Sequence, residues 1–69
     1  MEFKLNSDFI KLDQLLKATN VVSTGGEAKV LILNGNIKVN GEIEKRRGRK
    51  IYKSYEVESF DKSIKILVR

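Results

Sequence analysis

Gly35-Asn36-Ile37-Lys38-Val39-Asn40-Gly41-Glu42-Ile43-Glu44 is the stretch that decides the fold. Apolar residues fall on every second position either side of Asn40-Gly41, and a two-residue Asn-Gly loop supplies the two positive φ angles that a type I′ turn demands. Residues 37–39 and 42–44 are therefore the arms of a β-hairpin. Upstream the period lengthens. Asn34-Gly35 ends a helix, because glycine takes positive φ without a Cβ clash, and Ala28, Leu31 and Ile32 give that helix one apolar stripe. Its start, Thr24-Gly25-Gly26-Glu27, fits a capping box in which the Thr24 hydroxyl accepts from the Glu27 amide and the Glu27 carboxylate from the Thr24 amide. An earlier helix over residues 11–19 carries Leu12, Leu15 and Leu16 at the same spacing. Asp13 sits in its first turn, where the helix dipole favours an anion, and Asn20 takes the left-handed conformation that ends it.

Outward from these elements the signals shorten. Residues 1–5 alternate, with Phe3 and Leu5 on one face, as a half-buried strand does. Residues 45–50 are a loop hinged at Gly48, residues 55–57 a strand, Asp61-Lys62-Ser63 a turn, and residues 64–68 a closing strand. The assembled expectation is an α+β domain: two short helices packed on a small antiparallel sheet, with a β-hairpin and a basic loop.

With 69 residues the chain holds one domain, residues 1–69, which excludes a multidomain enzyme. Ile, Leu, Val and Phe make 23 of the 69, enough for a folded core. Cysteine and histidine are absent. That removes disulfides, thiolate nucleophiles and imidazole bases, and with them the usual zinc and haem ligands, so no metal and no cofactor is expected. No apolar run approaches the roughly 18 residues that span a bilayer, and no signal segment opens the chain; a soluble, cytoplasmic protein without membrane contact is the expectation.

The net charge is +5, and it is concentrated. Residues 1–44 sum to −1, residues 54–69 to zero, and residues 45–53 to +6. Six cations in Lys45-Arg46-Arg47-Gly48-Arg49-Lys50-Ile51-Tyr52-Lys53 repel one another unless solvent or a polyanion screens them. A phosphate backbone is such a polyanion; the alternative is a solvated loop that only keeps the protein soluble. The guanidinium forks of Arg46, Arg47 and Arg49 match phosphate oxygens, with Lys45, Lys50 and Lys53 adding field.

Residues 10–57 resemble the S-four domain, the alpha-L RNA-binding motif. Lys11-Leu12-Asp13 with Leu15-Leu16 is similar to that family's basic-Leu-Asp opening of the first helix, Thr24 with Glu27-Ala28 to its capped second helix, and Gly35 to Gly41 to its Gly-x-Val-x-Val-Asn-Gly element. Gly25 to Lys29 and Arg46 to Lys50 resemble more closely the stand-alone bacterial proteins of the YaaA/YbcJ type. Two departures stand out. Gly25 and Gly26 lie where many members carry arginines, so side-chain contacts there do not carry over, and Ser54-Tyr55 replaces a frequent Gly-Asp turn. The resemblance implies structured RNA as the ligand, with ribosomal RNA or an assembling ribosome as the setting and ribosomal proteins as neighbours.

The RNA-binding residues expected on this footing are Lys11 from helix one, Thr24, Gly25, Gly26 and Lys29 from helix two, Lys38 and Asn40 from the hairpin, and Lys45, Arg46, Arg47, Gly48, Arg49 and Lys50 from the loop. Lys11, Lys29 and the loop arginines would share one groove, with Gly48 letting the loop backbone approach the strand it grips. Each has a plainer reading: Lys29 as a solvated helix lysine, Gly25-Gly26 as a tight turn rather than a phosphate cradle, and Asn40 as a hairpin residue. Tyr52 and Tyr55 offer faces on which bases stack, but three apart on a strand they would point opposite ways, at least one into the core. A non-catalytic, monomeric RNA-binding module is the leading reading. Six phosphate contacts would cost it about 10³-fold in affinity between 50 and 200 mM salt. An adapter docking an acidic protein surface is the alternative, and DNA binding comes third. An enzyme ranks last, since Asp13 and Glu27 both have structural explanations at helix starts.

Overall fold

Asn40 (φ 51°) and Gly41 (φ 86°) form the expected two-residue turn, and Val39 pairs with Glu42 across it. The computed structural model describes residues 1–69. In chain order its elements are β1 (Glu2–Phe3), β2 (Ile10–Lys11), α1 (Leu12–Ala18), α2 (Gly25–Leu33), β3 (Ile37–Val39), β4 (Glu42–Ile43), β5 (Lys50–Ile51), β6 (Glu56–Ser59) and β7 (Ile64–Val68). Five strands make one sheet in the order β1-β7-β6-β3-β4, while β2 and β5 form a separate two-stranded ladder. The arrangement is α+β, as expected.

Three details differ from the sequence reading. The main sheet is antiparallel except at its edge, where β1 lies parallel to β7. The loop over residues 45–50 is shorter than expected, because Lys50 and Ile51 pair with Lys11 and Ile10. The α2 cap is half a capping box: the Glu27 amide donates to Thr24 Oγ1 at 3.1 Å, but the Glu27 carboxylate makes no return bond.

The core lies between the helices and one face of the sheet. Leu12, Leu15 and Leu16 of α1, Ala28 and Ile32 of α2, and Ile37, Val57 and Val68 of the sheet are sealed from solvent. Each large side chain so buried contributes about 1.5–3 kcal/mol. Val21 and Val22 are also buried, and carry the chain from Asn20 (φ 62°) to α2. Alternation along β3 sends Ile37 and Val39 inward and Lys38 outward. No helix is long and apolar enough to cross a membrane.

Candidate nucleic-acid interface

The basic loop is a built element. Helix starts leave amides without intrahelical partners; at α1 the N-cap residue Lys11 offers no side-chain acceptor, and Asp13 Oδ1 takes only the Gln14 amide, at 2.8 Å. The loop serves the two amides before that one with its own carbonyls: the Leu12 amide donates to Arg49 O at 2.9 Å and the Asp13 amide to Arg47 O at 3.2 Å. The Arg49 amide closes a turn on Arg46 O at 3.3 Å. From its far end the loop is anchored through β5 to β2.

Beneath it lies Glu44, the last residue of the hairpin arm expected over residues 42–44, whose role the sequence reading does not reveal. Because Glu42 faces the same side as Val39, alternation also turns Glu44 to the core side of the sheet, and it is 7% exposed. A carboxylate in such a place has to be paired. Arg46 forks onto it, Nε to Oε2 at 2.9 Å and Nη2 to Oε1 at 3.0 Å, while the Arg46 amide donates to Oε2 at 3.1 Å. Arg49 Nη1 donates to Oε1 at 2.6 Å. These bonds, the Arg46 side chain's first, hold the Glu44 carboxyl down at about 2, against an ordinary value of 4.5, although burial acts the other way. Hydrogen bonds to Glu44 raise both guanidinium pKa values in turn.

The expectation of three equivalent arginine forks is therefore corrected. Arg46 and Arg49 are engaged by Glu44, one residue outside the run counted as free of acid, and Arg47 alone is unpaired. Lys45, Lys50 and Lys53 also have no carboxylate partner. Lys11 and Lys50 stand directly opposite each other in the β2–β5 ladder, a like-charge juxtaposition that works against pairing. Gly48 has no neighbour within 4 Å of where a Cβ would stand, so its backbone is open to an approaching strand but is not required by packing.

Lys11 stands beside the loop as expected, whereas the other expected residues line different parts of the surface. Thr24 and Gly26 line a concavity of about 470 Å³ with Glu27, Asp61 and Lys62, whereas Arg46, Gly48, Arg49, Lys50 and Tyr52 line one of about 500 Å³. Gly25 is free of neighbours, so the close-packing explanation for the glycine pair falls away; Lys29 is an exposed helix lysine lining neither concavity. Lys38 lies on the outward face of the sheet opposite Ile43 and Glu58, its Nζ 4.8 Å from the Phe60 ring centre. Asn40 serves the fold: its Oδ1 accepts from the Glu56 amide at 2.9 Å, and its amide donates to Glu56 O at 2.8 Å.

Tyr52 and Tyr55 do not point opposite ways. They sit outside the strands, at the ends of a turn closed by the Tyr55 amide on Tyr52 O, with Ser54 at φ 76°. That is the φ a type II turn needs at its third residue, usually from glycine, so serine holds the place where the resembling family has Gly-Asp.

Comparison with known proteins agrees with the architecture. The family model described as the S4 domain matches residues 3–67. A protein of Bacillus subtilis (strain 168) named "Probable ribosome maturation protein RlbA" is 38% identical over 58 residues, a match covering 81% of this chain and 82% of that protein. With two helices, the Asn40-Gly41 hairpin and a family match running through nearly every element, the chain belongs to the S4 domain family.

Proposed function

We propose that the protein binds structured RNA without catalysing a reaction, and that it acts in ribosome maturation in the cytoplasm. The observation that carries the reading is the fixed basic loop. Lys45, Arg47 and Lys50 are unpaired cations on a loop that its own carbonyls fasten to α1 and that Glu44 fastens from below, and Lys11, which lies in β2 rather than in helix one, adds a fourth beside Lys50; Lys53, also unpaired, lies in a separate concavity with Glu2, Lys4 and Arg69. A loop serving solubility alone needs neither tie. Lys11 against Lys50 costs fold stability, and a bound phosphate between them would turn that repulsion into two attractions. Membership of the S4 family and likeness to a protein named for ribosome maturation support RNA, and ribosomal RNA in particular, as the polyanion.

Arg46 and Arg49 fix the loop's shape, and Arg46, 73% exposed along its side chain, still presents part of its fork to solvent. Thr24, Gly25, Gly26 and Lys29 form a secondary patch. Lys38 is a peripheral contact, and Asn40 acts through the hairpin. Phosphate contacts position the module, and the folded surface reads the shape of the RNA. The chain acts as a monomer, with ribosomal proteins as neighbours on the particle.

Titration of the labelled protein with a ribosomal RNA stem-loop, a DNA duplex of matched sequence and an acidic peptide tests this. Amide shifts concentrated at Lys11 and residues 45–50, strongest with RNA, are the expected result. Four phosphate contacts give a loss of affinity of about 10²-fold between 50 and 200 mM salt. A response to the acidic peptide alone would make the loop a protein-docking element.

A further inference from the structure

Three concavities of similar size indent the surface, at about 550, 470 and 500 Å³, so chemistry rather than volume separates them. The first contains Glu2 and Arg69, which pair with each other at 2.8 Å. The second holds Glu27 and Asp61 against one lysine. The third brings Arg46, Arg49 and Lys50 around Tyr52 with no acid on its wall.

Beside that third concavity runs a row of three rings. Phe9 and Tyr52 are 6.1 Å apart between ring centres at a tilt of 52°, and Tyr52 and Tyr55 are 5.7 Å apart, edge to face. Cations cover the two outer members: Lys50 Nζ lies 4.8 Å from the Phe9 centre and the Arg49 guanidinium 5.9 Å from that of Tyr55. No cation lies over Tyr52. Tyr55 packs on the core, whereas Tyr52 belongs to no part of it and is 41% exposed. Neighbours thus hold the ring at fixed tilt while part of its surface meets solvent beside three cations. Aromatic side chains presented this way stack on nucleobases, and adjacent cations take the flanking phosphates.

We propose that Tyr52 is the stacking platform for one unpaired nucleotide of the RNA, a flanking phosphate of which lies on Lys50. The inference rests on the RNA-binding reading and narrows it. The preferred ligand is a helix interrupted by a bulged or flipped base, since a base within an uninterrupted helix cannot reach the ring.

The test uses two RNA duplexes of equal length without loops, one uninterrupted and one carrying a single bulged 2-aminopurine. The full chain is expected to bind the bulged RNA about fivefold or more tightly than the uninterrupted one, the lower end of what one stacked base contributes, and to quench the 2-aminopurine fluorescence. Tyr52→Ala should bring the two affinities together and abolish the quench, and Tyr52→Phe should restore both. Thermal unfolding of each variant establishes that it is folded, and the wild-type comparison stands without any variant. Equal affinity of the wild type for both RNAs, or a preference and quench that survive Tyr52→Ala in a folded protein, would overturn the stacking site while leaving RNA binding intact. Binding of neither RNA would overturn both, and capture of an acidic peptide at Tyr52 instead would reassign the rings to protein docking.

Discussion

Replacing Glu44 by Gln separates two views of the basic loop, because charge counting and loop geometry predict opposite results. The substitution removes one negative charge from a chain of net charge +5, so if affinity followed charge alone, RNA binding would strengthen. Glu44, however, receives four hydrogen bonds from Arg46 and Arg49. A glutamine puts an NH₂ where one acceptor oxygen stood, facing a guanidinium that can only donate. The energetic scale follows from the carboxyl pKa, held at about 2 against 4.5. At 1.36 kcal/mol per pKa unit that is about 3 kcal/mol at most. The Arg46 side chain is 73% exposed, so solvent screens much of its share, and about 1–2 kcal/mol is the expected loss. For a domain this size the melting temperature falls by about 5–15 °C. Reordering roughly one loop residue on binding then costs about tenfold in affinity for the RNA stem-loop. The pH dependence has a definite sign. A carboxyl with a depressed folded-state pKa contributes its full stability above pH 4.5 and loses it as pH falls toward 2. Wild-type thermal stability should decline across that window more steeply than that of Glu44→Gln. Melts from pH 7 to pH 2 and RNA titrations at fixed ionic strength measure all three effects. Tighter RNA binding by Glu44→Gln at an unchanged melting temperature would refute the buttress.

Further substitutions probe the fold and the interface independently. Lys11→Glu replaces a repulsive pair with Lys50 by an attractive one; it should stabilise the domain by about 0.2–1 kcal/mol while weakening RNA binding and flattening its salt dependence, so that opposite movements of melting temperature and affinity are the signature to look for. Ser54→Gly relieves a positive φ on a non-glycine residue and should gain about 0.5–1 kcal/mol in denaturant titrations, without altering RNA affinity. Ser59 Oγ is buried without a hydrogen-bond partner, so Ser59→Ala should raise stability by about 1 kcal/mol, and a loss instead would reveal a partner for that hydroxyl. Leu16→Ala opens a cavity at a fully buried site and should cost about 2–5 kcal/mol, a large part of the stability of so small a domain.

What could be read from the chain follows the range of the interactions involved. The Asn40-Gly41 turn, the Thr24 cap and the Gly35 stop (φ 76°) are decided within a few residues, so local chemistry exposes them. The closing strand, β7, is also legible, because five residues suffice to display a period of two. Two-residue strands display no period, and so β5 was hidden inside the basic loop; its pairing with β2 depends on contacts some forty residues apart. The parallel β1–β7 edge joins the two ends of the chain and leaves no local trace. Alternation does not place Tyr52 and Tyr55, because residues 52–55 form a turn rather than a strand. The buried carboxylate of Glu44 does leave a signal in the sequence. Carrying the hairpin alternation one residue past Ile43 turns Glu44 to the core side, and a carboxylate there with arginines two and five residues on has obvious partners.

Glu44 also changes how the loop's charge should be counted. Six cations within nine residues suggest six phosphate contacts, but a guanidinium already held by a carboxylate cannot form the same bonds with phosphate without breaking those it has. The fold thus divides that run: Arg46 and Arg49 chiefly shape the loop, Lys53 lies in a separate concavity with Glu2, Lys4 and Arg69, and Lys45, Arg47 and Lys50, joined by Lys11 from β2, are free to meet a ligand. Since the salt sensitivity of binding scales with the number of phosphates neutralised, a slope of log affinity against log salt near −3.6 corresponds to four contacts and one near −5.4 to six. The steeper slope would mean that RNA draws Arg46 and Arg49 away from Glu44, leaving a carboxylate 7% exposed without its partners. Burial would then raise its pKa, and RNA binding at mildly acidic pH would take up a proton. The shallower slope, with no proton uptake, is what a loop shaped before it meets its ligand requires.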